Sequence, residues 1–214
     1  MIERILPPGV ATAAAYDDPP EAVLLPEEEA AVERAVEKRR LEFTTVRWCA
    51  RRALAELGVP HGPITRGERG APRWPDGVVG SMTHCDGYRA AAVARAGEMT
   101  ALGIDAEPHG PLPGGVLRTI AREEELPLLD ELRRTSPDVH WDRLLFCAKE
   151  AVYKAWFPVT GRWLGFEDAA LALDPGGTFT ARLLVPDSPF AGFKGRWTAG
   201  NGLIATAIAV SPRA

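Results

Sequence analysis

Gly103-Ile-Asp-Ala-Glu-Pro-His-Gly-Pro-Leu-Pro-Gly-Gly115 runs from a stretch of strand character straight into the densest cluster of chain breakers in the sequence. A strand is predicted over Thr100–Glu107. Three prolines and three glycines then follow within 108–115, residue types that cannot extend a sheet interior. That break is expected to join two halves, residues 1–107 and residues 116–214, with 108–115 as the linker. Strand side chains alternate faces, so Asp105 and Glu107 share one, with Cα atoms about 6–7 Å apart.

Working outward towards the N-terminus, Asp86-Gly87 is a two-residue turn signal, and a β-hairpin is predicted over Val78–Ala94. Ile64–Pro72 is glycine-rich, charged and loop-like. Before it, Pro26 and three glutamates open a helical pattern that runs, with a break, to Leu57; Gly58 and Pro60 end it. Residues 1–25 read as irregular.

On the other side, Trp141, Leu144, Leu145, Ala148, Val152 and Trp156 recur at helical spacing, which predicts a helix over Trp141–Phe157. Phe146, Glu150, Tyr153 and Phe157 lie on a separate stripe of it, and Lys154 follows Glu150 by one turn. Strands at Asp168–Leu173 and Phe179–Val185 precede a hairpin turning at Asn201-Gly202. The segments Thr83–Ala94 and Thr198–Ala209 share an Asp/Asn-Gly turn followed by an Ala/Val/Ile-rich strand, a faint internal repeat. The fold class expected is α+β: a duplicated unit with pseudo-twofold symmetry, each half a small antiparallel sheet packed by a long helix.

At 214 residues and 46% hydrophobic, the chain can bury a core as one large or two small domains. A net charge of −4 supplies no broad basic field, so no nucleic acid partner is expected, and an anion site must come from a local cluster of Arg and Lys. Apolar stretches such as Leu203–Val210 are too short to span a bilayer. Cys49, Cys85 and Cys147 lack metal-ligand spacing and read as reduced, buried thiols, and no secretory leader is evident. A cytoplasmic protein is expected.

Taken singly, the strand acids Asp105 and Glu107 and the helical group Lys149, Glu150 and Lys154 have ordinary explanations. Acids at strand ends are commonly solvated, and an exposed Glu150–Lys154 pair contributes only a few tenths of a kcal/mol. Together they put three carboxylates and two lysines into a pattern that can hold a divalent cation beside a phosphoryl group. The residues resemble the 4′-phosphopantetheinyl transferases of the surfactin/enterobactin-activating type, notably the actinobacterial group. The matching features are Arg66-Gly-Glu-Arg-Gly-Ala-Pro72, Gly80-Ser-Met-Thr-His-Cys-Asp-Gly-Tyr-Arg89 and Gly103-Ile-Asp-Ala-Glu-Pro-His109. Phe146–Trp156 and Arg162-Trp-Leu-Gly-Phe-Glu-Asp168 complete them.

The resemblance implies transfer of phosphopantetheine from coenzyme A to a serine of apo acyl carrier and peptidyl carrier proteins, leaving adenosine 3′,5′-bisphosphate. It implies Mg²⁺, with Mn²⁺ as an alternative, on Asp105, Glu107 and Glu150, with the Ala106 carbonyl also facing the ion. Glu150 is our choice of base, and Lys154 and Lys149 are expected to hold the diphosphate. Arg39, Arg47, Arg66, Arg69 and His84 are candidates by resemblance for the remaining phosphate. Gly70, Ser81, Met82 and Thr83 are assigned to coenzyme A with them. Arg66 and Arg69 stand where lysines are frequent, and Cys147 where serine is. Because both halves lie in one chain, a monomer is expected.

Overall fold

Eight strands form two antiparallel sheets in the computed structural model, which describes residues 1–60 and 62–212. The first three are β1 (Ala11–Ala15), β2 (Val78–Cys85) and β3 (Tyr88–Arg95). They are followed by β4 (Ala101–Pro108), β5 (Ala169–Asp174), β6 (Thr178–Leu183), β7 (Phe193–Gly200) and β8 (Leu203–Val210). The helices are α1 (Pro26–Glu29), α2 (Glu37–Glu56), α3 (Val116–Ile120), α4 (Leu126–Thr135) and α5 (Trp141–Thr160). The smaller sheet has the order β1-β3-β2 and the larger β4-β8-β7-β6-β5.

Both expected hairpins form, and their turns show why. Asn201 and Gly202 sit at φ 53 and 74, the doubly positive pair that matches the twist of the flanking strands; at Asp86-Gly87 the glycine takes φ 71. Each hairpin pairs on one side with a strand from before its long helix. The two units therefore run alike: β1, α2, β2 and β3 in the first; β4, α5, β7 and β8 in the second, with the β5–β6 hairpin as an addition. Helix α2 buries Cys49, Ala50, Ala53 and Leu54 against the first sheet, and α5 buries Leu144, Ala148, Val152 and Trp156 against the second.

This pairing moves the expected boundary. The expected boundary puts β4 at the end of the front half, but all eight of its residues pair with β8, from Ala101↔Val210 to Pro108↔Leu203. By its pairing β4 is the counterpart of β1 and opens the rear unit. Residues 108–115 become a loop inside that unit, held by Arg143, whose guanidinium donates to the carbonyls of Gly110 and Pro111.

One further difference follows from a weak local signal. The N-terminal 25 residues are not irregular throughout: Ile2, Ile5 and Leu6 enter the core between the sheets, and β1 edges the first sheet. Ala11-Thr-Ala-Ala-Ala15 lacks the branched and aromatic residues that mark strands, so β3 and α2 define it rather than its own propensity. The helical pattern expected from Pro26 to Leu57 has its break at Ala30–Val32, a 3₁₀ turn between α1 and α2.

Where β2 passes β4 the two sheets meet without strand pairing among the described residues. Side chains close the gap instead. The Ser81 hydroxyl accepts the Ile104 N–H at 3.0 Å, and the Thr83 hydroxyl accepts that of Ala106 at 3.0 Å. Donor and acceptor numbers rise together, so β2 and β4 run parallel across this seam.

Candidate active site

Helix α5 crosses β4 at Gly103. A Cβ there would stand 2.1 Å from the Ala151 carbonyl oxygen and 2.7 Å from the Ala155 nitrogen. Only glycine permits so close an approach. The face that carries Gly103 also carries Asp105 and Glu107, so the crossing brings Glu150 and Lys154 of α5 over the two strand acids. Lys154 Nζ lies 2.6 Å from Asp105 Oδ1, which also accepts the Thr83 hydroxyl at 3.1 Å. Glu107 is held by Arg143 at 3.0 Å.

These groups floor a cleft of about 380 Å³, the size range of small-molecule sites. Its opposite wall comes from the first unit: Arg39, Phe43 and Arg47 of α2, the loop residues Arg66, Arg69 and Gly70, and Ser81, Met82, Thr83 and His84 of β2. Phe146, Tyr153, Phe157 and Pro158 of α5 line the rest. Of the residues assigned from sequence, the cleft collects all but Ala106 and Lys149. Ala106 is wholly buried in β4, its N–H donated to Thr83.

Lys149 is a correction. It points away from the cleft, 3% exposed, into a buried pair with Glu125 at 2.9 Å, and also donates to the Phe166 and Ala169 carbonyls. One residue along a helix is a rotation of about 100°, enough to send neighbours Lys149 and Glu150 to different surroundings. Burial lowers the Lys149 pKa against the opposing pull of Glu125.

Ser81 and Arg47 line the cleft but are committed elsewhere. Ser81 closes the seam. Arg47 is buried, donating from Nε to the Ile64 carbonyl at 2.8 Å, its guanidinium over the Phe43 ring. Behind it the wholly buried Glu28 binds Arg51 through both carboxylate oxygens, at 3.1 and 3.0 Å. In the loop, Arg69 takes φ 51 beside Gly70 at φ 82, and its guanidinium carbon lies 5.2 Å from the centre of the Trp163 ring.

The charges shift one another. Burial and the neighbouring Asp105 raise the carboxyl pKa of both Glu107 and Glu150. Burial alone would lower Lys154, but Asp105 and Glu150 overcome it and the net shift is upward. His84 is pushed down to about 4 by burial and the cations Arg39 and Lys154. Burial and the neighbouring Asp105 push the thiol of Cys147, fully buried beneath the site, upward against the opposing hydrogen bond with Thr206 at 3.3 Å, which leaves it unreactive; Cys49 and Cys85 are buried too.

Among the described residues no three acid, histidine or cysteine side chains are grouped as a ready-made cage for an ion. Glu107 is turned to Arg143 and Asp105 to Lys154. The donor set still suits a hard divalent cation: three carboxylates share the cleft, and Asp105 Oδ2 is buried with no hydrogen-bond partner.

Sequence reasoning missed Arg143 and Glu42. Arg143 precedes Glu150 by seven residues, two turns up the same helix face, a spacing that could have flagged it. Glu42 is three residues after Arg39 and approaches both Arg39 and His84.

Two family models match consecutive parts of the chain. The 4′-phosphopantetheinyl transferase N-terminal domain matches residues 27–94, and the 4′-phosphopantetheinyl transferase superfamily matches residues 101–207. The chain is 58% identical over 220 residues to 4′-phosphopantetheinyl transferase Svp of Streptomyces mobaraensis, covering 99% of this chain and 89% of that protein. It is 52% identical over 223 residues to 4′-phosphopantetheinyl transferase Npt of Nocardia iowensis, covering 98% and 99%. To 4′-phosphopantetheinyl transferase PptT of Mycobacterium tuberculosis it is 49% identical over 223 residues, covering 97% of each.

Proposed function

This chain belongs to the 4′-phosphopantetheinyl transferase superfamily, and from that membership we propose how its cleft performs the transfer. The enzyme moves the phosphopantetheine moiety of coenzyme A onto carrier proteins. Coenzyme A lies in the cleft between the two units, and a serine hydroxyl of the apo carrier attacks the β-phosphorus, releasing adenosine 3′,5′-bisphosphate. The observation that carries this reading is the facing of two walls: Asp105, Glu107, Glu150 and Lys154 on one, Arg39, Arg66, Arg69 and His84 on the other.

Attack on a diphosphate needs its charge neutralised, the hydroxyl positioned and deprotonated, and the leaving phosphate stabilised. Asp105, Glu107 and Glu150 would hold Mg²⁺, or Mn²⁺, which when bound supplies charge neutralisation and orientation of the diphosphate. Glu150 accepts the serine proton at its carboxylate. Lys154 places its ammonium against the diphosphate and the charge that develops on the leaving group. Arg66 and Arg69 suit the nucleotide phosphates, because the planar guanidinium fork gives two parallel hydrogen bonds. Phe146, Tyr153 and Phe157 exclude water from the α5 side. No helix among the described residues is long and apolar enough to cross a membrane. An active monomer in the cytoplasm is the setting that fits a cleft completed within one chain.

The test is incubation with coenzyme A, Mg²⁺ and an apo acyl or peptidyl carrier protein, followed by intact-mass measurement. A carrier mass gain of one phosphopantetheine group is expected. An unmodified carrier under conditions where the enzyme binds coenzyme A would refute the proposed transfer.

A further inference from the structure

Glu42 does not line the cleft, yet it touches two residues that do. Its Oε2 lies 3.5 Å from His84 Nδ1 and 3.7 Å from Arg39 Nη1, and its side chain is 11% exposed against 32% and 43% for its partners. Arg39 Nη1 in turn meets His84 Nε2. A guanidinium only donates, so Nε2 is the acceptor and the imidazole proton sits on Nδ1, towards Glu42. His84 is accordingly neutral, in keeping with the downward shift that burial and nearby cations impose on it.

The charged groups around the ring come from four elements: Arg39 and Glu42 on α2, Arg89 on β3, Asp105 on β4 and Lys154 on α5. Asp105 is committed to Lys154 and Thr83, and Arg89 to Asp18. Glu42 is the acid in contact with the ring. Nε2 is what Arg39 occupies, and both groups face the cleft.

We propose that Glu42 is a positioning residue that holds Arg39 and His84 as a proton-taking clamp for a phosphate group of coenzyme A. As the phosphate enters, Arg39 leaves Nε2 to donate to phosphate oxygens. Nε2 takes one proton from solvent, and the imidazolium is held between the Glu42 carboxylate and the phosphate. A carboxylate behind a histidine favours its charged form, and a phosphate in front of it does so again. The inference rests on coenzyme A being the cleft's ligand.

The experiment is calorimetric titration of the full chain with coenzyme A at pH 7.5, in two buffers of different ionisation enthalpy, which counts protons exchanged on binding. Wild type is expected to take up about half a proton or more per coenzyme A, and His84→Gln close to none. Glu42→Gln is expected to lower the uptake and raise the KM for coenzyme A about five- to tenfold, with kcat within about twofold. Glu42→Asp, which keeps the charge, is expected to restore part of the uptake. 3′-Dephospho-coenzyme A assigns the phosphate: uptake lost with this ligand places the clamp on the 3′-phosphate, and uptake kept places it on the diphosphate. Coenzyme A that binds and is transferred with no proton uptake in wild type overturns the clamp alone. Uptake by Glu42→Gln equal to wild type, in a variant whose circular dichroism is native, overturns the role of Glu42. Failure of coenzyme A to bind the wild type overturns both this inference and the proposed function.

Discussion

Lys149 and Lys154 are five residues apart on one helix and have opposite duties. Lys149 and Glu125 are each about 2% exposed at their side chains, so removing one leaves the other as an unpaired buried charge. Lys149→Ala is expected to cost about 3–5 kcal/mol, read as a shift in the denaturant midpoint, while coenzyme A affinity of the folded fraction stays near wild type. Glu150→Gln should behave in the reverse way. It is expected to lower kcat about 10²–10⁴-fold with coenzyme A binding retained, measured by carrier mass gain beside direct titration. Lost binding together with lost turnover would remove Glu150 from the role of base. For His84 the folded pKa of about 4 lies below the ordinary 6.5. A neutral ring is therefore what the folded state favours. Its contribution to stability is complete above about pH 6.5 and fades as pH falls towards 4. His84→Gln is expected to lose less stability than wild type between pH 7 and 4.5, compared by urea unfolding at both.

Among the elements, β4 and α5 form the junction on which the site depends, and Gly103 sets their separation. Gly103→Ala must either move α5 outward or distort its backbone. A loss of about 1–3 kcal/mol is expected from the overlap, with a greater fall in kcat than in stability would predict, since the helix carries Glu150 and Lys154 away from Asp105. Thermal unfolding and turnover of the same sample would check it; unchanged kcat would show the crossing tolerates slack. The parts of this junction are legible in the sequence: a period-two strand with acids on one face, and a helix with core and functional stripes. The Lys149 misassignment came from reading two lysines in one motif as one cluster, although helical rotation separates their surroundings. The seam hydroxyls of Ser81 and Thr83 were not legible, because a serine or threonine in a strand carries no mark of whether it serves a ligand or a neighbouring strand.

For the molecule as a whole, the duplicated α+β architecture was foreshadowed by two similar hairpins, while its dividing point was not. Pro and Gly at 108–115 signal where the chain turns, but hydrogen bonding between distant strands decides which unit β4 joins. The arginines of the cleft lie before residue 95 and its acids and Lys154 after residue 101, so separating the chain between β3 and β4 should leave each piece unable to modify an apo carrier. Intact-mass analysis with either piece alone checks this, and activity from the rear piece by itself would show that the arginine wall is dispensable.

The correspondence of β1 with β4 has one more outcome. Where β4 offers Asp105 and Glu107, β1 offers Ala-Thr-Ala-Ala-Ala, with no carboxylate to donate. A frame with two equivalent seats is thereby wired at only one of them. Saturation should come at a single nucleotide per polypeptide.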